Sequence, residues 1–150
     1  MSSKTGVYPV YENQFKIDKT GGNGDTANLV PIADMESFSV SIDGNVEEWK
    51  PFDHEGWTRR LVTGKSITIS VSGKRNVGDD GNDYIDSLAL KTGQNATTTL
   101  VWTFPSGANL VLHGVVSVTE WGGGDSTAVA PLTFDIMSDG KPTFTEAPSA

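Results

Sequence analysis

The stretch Gly56-Trp57-Thr58-Arg59-Arg60-Leu61-Val62-Thr63-Gly64-Lys65-Ser66-Ile67-Thr68-Ile69-Ser70-Val71-Ser72-Gly73-Lys74-Arg75 decides how this chain is read. Ile67, Ile69 and Val71 alternate with Ser66, Thr68, Ser70 and Ser72, a period of two that makes a half-buried β-strand and not a helix. Arg59, Arg60, Lys65, Lys74 and Arg75, five of the 11 basic residues, bracket that strand in a chain of formal net charge −8. A basic block in an acidic protein calls for a partner: nucleic acid, another protein, or a second copy of the chain.

Working outward, Phe38, Val40 and Ile42 alternate with Ser37, Ser39 and Ser41, and Asp43-Gly44 predicts a hairpin turn with Val46 to Phe52 as the return strand. Pro51 closes that strand, and Asp53-His54-Glu55-Gly56 forms a loop with Trp49 and Trp57 at its ends. Downstream, Asp79, Asp80 and Asp83 crowd the start of a segment in which Tyr84, Ile85, Leu88 and Ala89 recur at helical spacing and Gly93 supplies a left-handed stop. One helix is expected over about residues 80–92. Thr97–Phe104 and Asn109–Trp121 then read as a long hairpin, and Ala128–Met137 as a further strand before the turn Ser138–Lys141 and a last piece, Pro142–Thr145. The first thirty residues read as a flexible arm with a hinge at Thr20–Asp25, residues 31–146 as the folded domain and 147–150 as a loose tail. The expected fold is mainly β, an antiparallel sandwich or barrel with one flanking helix.

The 150 residues suit one domain, and 17 glycines fit a turn-rich β protein. Cysteine is absent, which removes disulfides and thiolate chemistry. The sequence carries no apolar run of membrane-spanning or signal-peptide length, so a cytoplasmic origin is the default expectation.

The residues offer little for catalysis. His54 sits in a loop, and His113 lies mid-strand, where a hydrogen-bonded strand histidine is the expected role. Asp79-Asp80-Gly81-Asn82-Asp83 suggests calcium, but the spacing does not match an alternating-donor loop, and favourable charges at a helix N-terminus explain the same residues. No catalytic residue, metal or cofactor is expected. The faces built from Ser37, Ser39, Ser41, Ser66, Thr68, Ser70 and Ser72 lack the charges that keep strand edges of monomeric proteins apart, which points to contact with other subunits or to an internal wall.

Trp49-Lys50-Pro51-Phe52-Asp53-His54-Glu55-Gly56-Trp57-Thr58-Arg59-Arg60-Leu61, with Gly73-Lys74-Arg75-Asn76-Val77-Gly78-Asp79 and Gly81-Asn82-Asp83-Tyr84, resembles phage tail tube proteins of long-tailed phages and phage-like elements. The resemblance covers about residues 30 to 146. It implies a structural virion subunit, made in the host cytoplasm, that assembles into stacked six-membered rings around a tape-measure protein, with terminator and baseplate proteins at the tube ends. DNA then passes through the lumen without sequence-specific binding, and no membrane is involved. On that reading Trp49, Phe52, Trp57, Arg59, Arg60, Lys65, Lys74 and Arg75 make the contacts between subunits or rings, with Asp79, Asp80 and Asp83 of another copy as their acidic counterpart. The seven Ser/Thr side chains become candidates for the lumen wall. The alternatives are a carbohydrate-binding β-sandwich using its four tryptophans and a nucleic-acid-binding barrel using Lys74 and Arg75.

Overall fold

The computed structural model of the chain describes residues 6–20 and 29–146. Their strands are β1 (Gln14–Asp18), β2 (Leu29–Pro31), β3 (Met35–Trp49), β4 (Arg59–Lys74), β5 (Thr97–Thr103), β6 (Asn109–Trp121), β7 (Pro131–Ser138) and β8 (Thr143–Thr145), with one α-helix, α1 (Asp80–Ser87). All pairings are antiparallel and join the strands into one sheet in the order β2-β1-β5-β6-β7-β4-β3, while β8 also pairs with β6. The mainly β fold with a single flanking helix agrees with the alternation in the sequence.

The register explains where the core lies. Phe38, Val71, Phe134 and Val118 stand opposite one another across four strands, and the next row is Val40, Ile69, Ile136 and Val116. Leu112, Leu100 and Ile17 continue the same face through the β6–β5–β1 half. The sheet folds over on itself, because Phe15 of β1 meets Phe38 of β3 edge-to-face at 4.7 Å although those strands do not pair. Trp102 packs against both rings, and its indole N–H donates to Asn13 at 2.8 Å. Ile85 and Leu88 of the helix segment complete the core.

Three expectations are corrected. Asp43-Gly44 makes no turn: β3 runs straight through, with Asp43 opposite Ser66 and Gly44 opposite Lys65, and Gly44 does not adopt positive φ. The turn lies instead at residues 50–58, because both halves of the apolar alternation find their partners in β4 and not in each other. The helix ends at Ser87, not near residue 92, and Gly93 takes its left-handed φ of 64° at the start of a short 3-10 turn.

The presumed arm contributes a strand: β1 pairs with β5, and Ile17 is fully buried. The part of the hinge from residue 21 to 25, like the tail from 147 to 150, lies outside the described residues. The bend after β7 falls at Asp139 and Gly140, within the expected Ser138–Lys141 turn. β8 continues in line along the same edge of β6, and Asp139 N–H bonds the His113 carbonyl in the gap at 2.9 Å. His113 is a strand residue, but its buried Nδ1 finds no hydrogen-bond partner.

Burial separates positions that alternation alone treats alike. Phe134 is fully buried, whereas Ile42, on the apolar face of β3, is 59% exposed. Phe134→Ala should cost about 3–5 kcal/mol in denaturant unfolding, because it leaves a cavity in the centre of the sheet. Ile42→Ser should change stability by less than about 0.5 kcal/mol in the same measurement.

Candidate functional site

β4 is sixteen residues long, but β7 pairs with it only from Thr68 to Lys74. Beyond Ile42 and Ile67 the β3–β4 pair therefore has no further strand beside it and leaves the body as a two-stranded ribbon. An extra residue in β4, Thr63, shifts the register between Asn45 and Val46, after which Val46 faces Val62, Glu48 faces Arg60 and Trp49 faces Arg59. Asn45 Nδ2 bonds Thr63 Oγ1 at 2.8 Å and pins that bulge.

The ribbon is apolar where a solvated hairpin would be polar. Ile42, Val46, Leu61 and Val62 are exposed, and Phe52 and Trp57 stand out fully or largely exposed in the loop. Ile42, Val46 and Val62 lie on one face of the ribbon and Leu61 on the other, and exposed apolar side chains gathered on a projection are what interaction sites present. The Arg59 guanidinium lies 5.5 Å from the centre of the Trp49 ring, and Arg60 bonds Glu48 at 2.7 Å. Both partners of that ion pair are largely exposed, so the pair contributes at most about 1 kcal/mol. In the loop, Trp57 N–H closes on the His54 carbonyl at 2.9 Å, Glu55 is held at a left-handed φ of 53°, and Gly56 follows at 85°. A non-glycine residue in that conformation costs conformational energy, which the loop accepts in presenting Phe52 and Trp57 outward.

The other end of β4 is built differently. Asn82 is fully buried: its Nδ2 donates to the Ala33 and Lys74 carbonyls at 3.1 and 2.9 Å, and its Oδ1 accepts from Asn76 N–H and the Arg75 guanidinium. Asp79 caps the helix, accepting from Asn82 N–H at 3.0 Å, and also accepts from Ala33 N–H. Arg75 lies 2.7 Å from Asp83 and 3.2 Å from Asp86, and the Trp121 indole N–H bonds Asp86 at 2.6 Å. Gly73 sits where Asp34 and Met35 cross the strand, and a Cβ there would collide with the Asp34 carbonyl oxygen.

The residues picked from the sequence thus fall into two groups at opposite ends of β4, fifteen strand steps or about 50 Å apart. Trp49, Phe52, Trp57, Arg59, Arg60 and Lys65 belong to the ribbon. Lys74, Arg75, Asp79, Asp80 and Asp83 lie at the far end of β4, where basic and acidic residues meet within the chain. Arg75 meets Asp83 within one chain, Lys74 contacts Glu36 at 3.5 Å, and Asp80 contacts Lys19 at 3.7 Å. Asp79 serves the helix cap. The cause is proximity, since Arg75 leaves β4 four residues before the helix cap and folds back over the first turn.

Ser37, Ser39, Ser41, Ser66, Thr68, Ser70 and Ser72 do share one face, opposite the core. Ser37 and Ser72 hydroxyls bond each other at 2.6 Å, and Ser70 donates to Asp135 at 2.6 Å, which puts a carboxylate on the face that looked uncharged in sequence. The apolar ribbon positions Ile42, Val46, Leu61 and Val62 were not distinguished from core residues by the sequence, because alternation is the same whether or not another layer covers the strand. Their one available signal was the charge beside them, Glu47, Glu48, Arg59 and Arg60.

No protein-family model matches the sequence, and no curated protein matches it. Solved structures do. A chain from the tail of an empty gene transfer agent particle, refined with helical and C6 symmetry, superimposes with a TM-score of 0.71 at 17% identity, covering 93% of this chain and 100% of that one. The two chains share one fold. A chain of the native gene transfer agent virion gives a TM-score of 0.69 at 16% identity, with the same coverage. Among the described residues no helix is long and apolar enough to cross a membrane.

Hydrogen bonds from Arg75, and secondarily from Gly78 N–H, hold the Asp83 carboxyl below its ordinary value of 3.8. A depressed carboxyl stabilises the fold above its unfolded value, and that contribution disappears as pH falls through the lower, folded one. Unfolding followed between pH 6 and 2 should show stability declining below about pH 4, and Asp83→Asn should flatten that decline while lowering stability at pH 6.

Proposed function

We propose that this chain is a structural subunit of a phage-type tail tube. Copies assemble into hexameric rings that stack into a hollow tube, and DNA travels through the lumen. A tape-measure protein occupies the tube during assembly, and terminator and baseplate proteins meet its ends. The observation that carries this reading is the superposition on a gene transfer agent tail chain over 93% of this chain and the whole of that one. The ribbon supports it, because an apolar, aromatic-tipped projection has no covering partner among the described residues of its own chain. Trp and Arg are favoured anchors of protein interfaces, and Trp49, Trp57, Arg59 and Arg60 supply both.

The charge distribution suits a conduit. A net charge of −8 repels phosphates at long range, and the Ser/Thr face, with Asp135 and Glu120 on neighbouring strands, offers DNA hydroxyls and carboxylates but no dense cationic surface. On this reading that face lines the lumen, and the ribbon reaches a neighbouring subunit or ring.

Electron microscopy and sedimentation of the concentrated full chain test the proposal, with rings or tubes as the expected result. A dispersed monomer that bound glycan would instead fit a carbohydrate-binding module. Trp57→Ala should raise the concentration needed for polymerisation about thirtyfold, the equivalent of about 2 kcal/mol for an interface anchor. Arg59→Glu/Arg60→Glu should do at least as much, and normal-length tubes from either variant would remove the ribbon from the interface.

A further inference from the structure

The root of the ribbon carries a groove of about 590 Å³ where β4 has lost β7 as a neighbour. Its floor is apolar, from Ile42, Ile67 and Pro142, and Lys65 and Lys141 stand at its sides. Lys65 faces the same side of the ribbon as Ile67 and Ile42, because Gly44–Lys65 and Ile42–Ile67 are alternate cross-strand pairs. Ser138, where β7 ends, accepts a hydrogen bond from Ile67 N–H at 3.0 Å and fixes the wall of the groove. Among the described residues neither lysine forms an ion pair with a carboxylate. The groove is thus an apolar slot between two uncompensated cations.

The tip of the ribbon has the opposite character. Phe52 projects fully into solvent, and Asp53 and Glu55, both exposed, follow it in the same loop. His54 Nδ1 lies 3.0 Å from one Asp53 oxygen, which leaves the second oxygen and the Glu55 carboxylate to bind elsewhere. An exposed aromatic ring with two carboxylates in its loop is complementary, in apolar character and in sign, to an apolar slot with two ammonium groups in its lining.

We infer that the groove at the ribbon root receives the ribbon tip of a second copy of this chain, with Phe52 on Ile42, Ile67 and Pro142, and with Asp53 and Glu55 against Lys65 and Lys141. The contact is between copies because the tip cannot reach its own groove: seven strand steps from Ile42 to Trp49 place them about 24 Å apart along a stiff paired ribbon. A tip-to-root contact joins two different surfaces, so it repeats head to tail and builds a ring or a stack, not an isolated dimer. Of the other cavities, one of about 370 Å³ between β1 and β3 has Lys16 and Glu36 in its lining, and one of about 630 Å³ at Thr103–Gly107 has Glu12 and no cation, so neither gives an acidic tip a net attraction. This inference rests on the self-assembly reading above and adds the acceptor surface to it.

Charge exchange on the full chain tests it. Lys65→Glu/Lys141→Glu and Asp53→Lys/Glu55→Lys should each keep the wild-type melting temperature to within a few degrees, since all four side chains are exposed. Each should stay dispersed in sedimentation velocity and electron microscopy at concentrations where the wild type polymerises, with at least a tenfold higher critical concentration. An equimolar mixture of the two should polymerise like the wild type, because every groove then finds a tip of opposite charge. If the wild type polymerises and either variant does so equally well, or if the mixture stays dispersed, the tip-to-groove contact is wrong while the assembly reading stands. If the wild type forms no polymer at any concentration, both are lost. Should a variant melt early, Lys65→Gln/Lys141→Gln replaces the reversed pair, and an unchanged critical concentration for it overturns the contact.

Discussion

The sixteen residues of β4 have a strand on both sides only between Thr68 and Lys74, and most of the molecule's character follows from that mismatch. Where β4 is flanked, its apolar residues meet Phe134, Ile136 and the helix, and its backbone groups are bonded on both edges. Where it is not, β4 leaves the body with β3 alone and carries Leu61 and Val62 into solvent. A two-stranded ribbon is at best marginally stable by itself. Its unpaired edge groups must be bonded by water or by another chain. The ribbon is therefore both what the fold costs to display and what gives the subunit something to display.

The root of β4 is built to carry such a projection. Asn82 saturates its side-chain amide with groups from the β2–β3 link, the end of β4 and the segment after it, and Arg75 lies over Asp83 and Asp86. A buried amide with every bond made resists displacement, because breaking one bond leaves a polar group without water. Charges that in sequence seemed available for another subunit are used to fasten the helix to the strand. Lys65 and Lys141, by contrast, form no ion pair with a carboxylate among the described residues.

The likeness to chains of gene transfer agent particles extends over nearly the whole chain at 16–17% identity, a level at which backbone architecture persists while side chains have been replaced. In this chain that architecture combines a sheet with one polar face and a projecting two-stranded ribbon, both set by register and strand length.

The sequence by itself determined the strand class, the period of burial, the β5–β6 hairpin, the existence and acidic start of the helix, and the Ser/Thr-rich character of the face from Ser37 to Ser72. Each is a local property, set by alternation, capping chemistry and turn residues within a few positions. It did not determine that Asp43-Gly44 would stay extended, that Gln14–Asp18 would enter the sheet, or that Arg75 would spend its charge within its own chain. Nor did it separate Ile42, which is exposed, from Ile69, which is fully buried, although both sit in equivalent alternating patterns. Those outcomes belong to the tertiary structure, because a strand's pattern says which face is apolar, while only the pairing of distant strands says how far along that face there is anything to cover it.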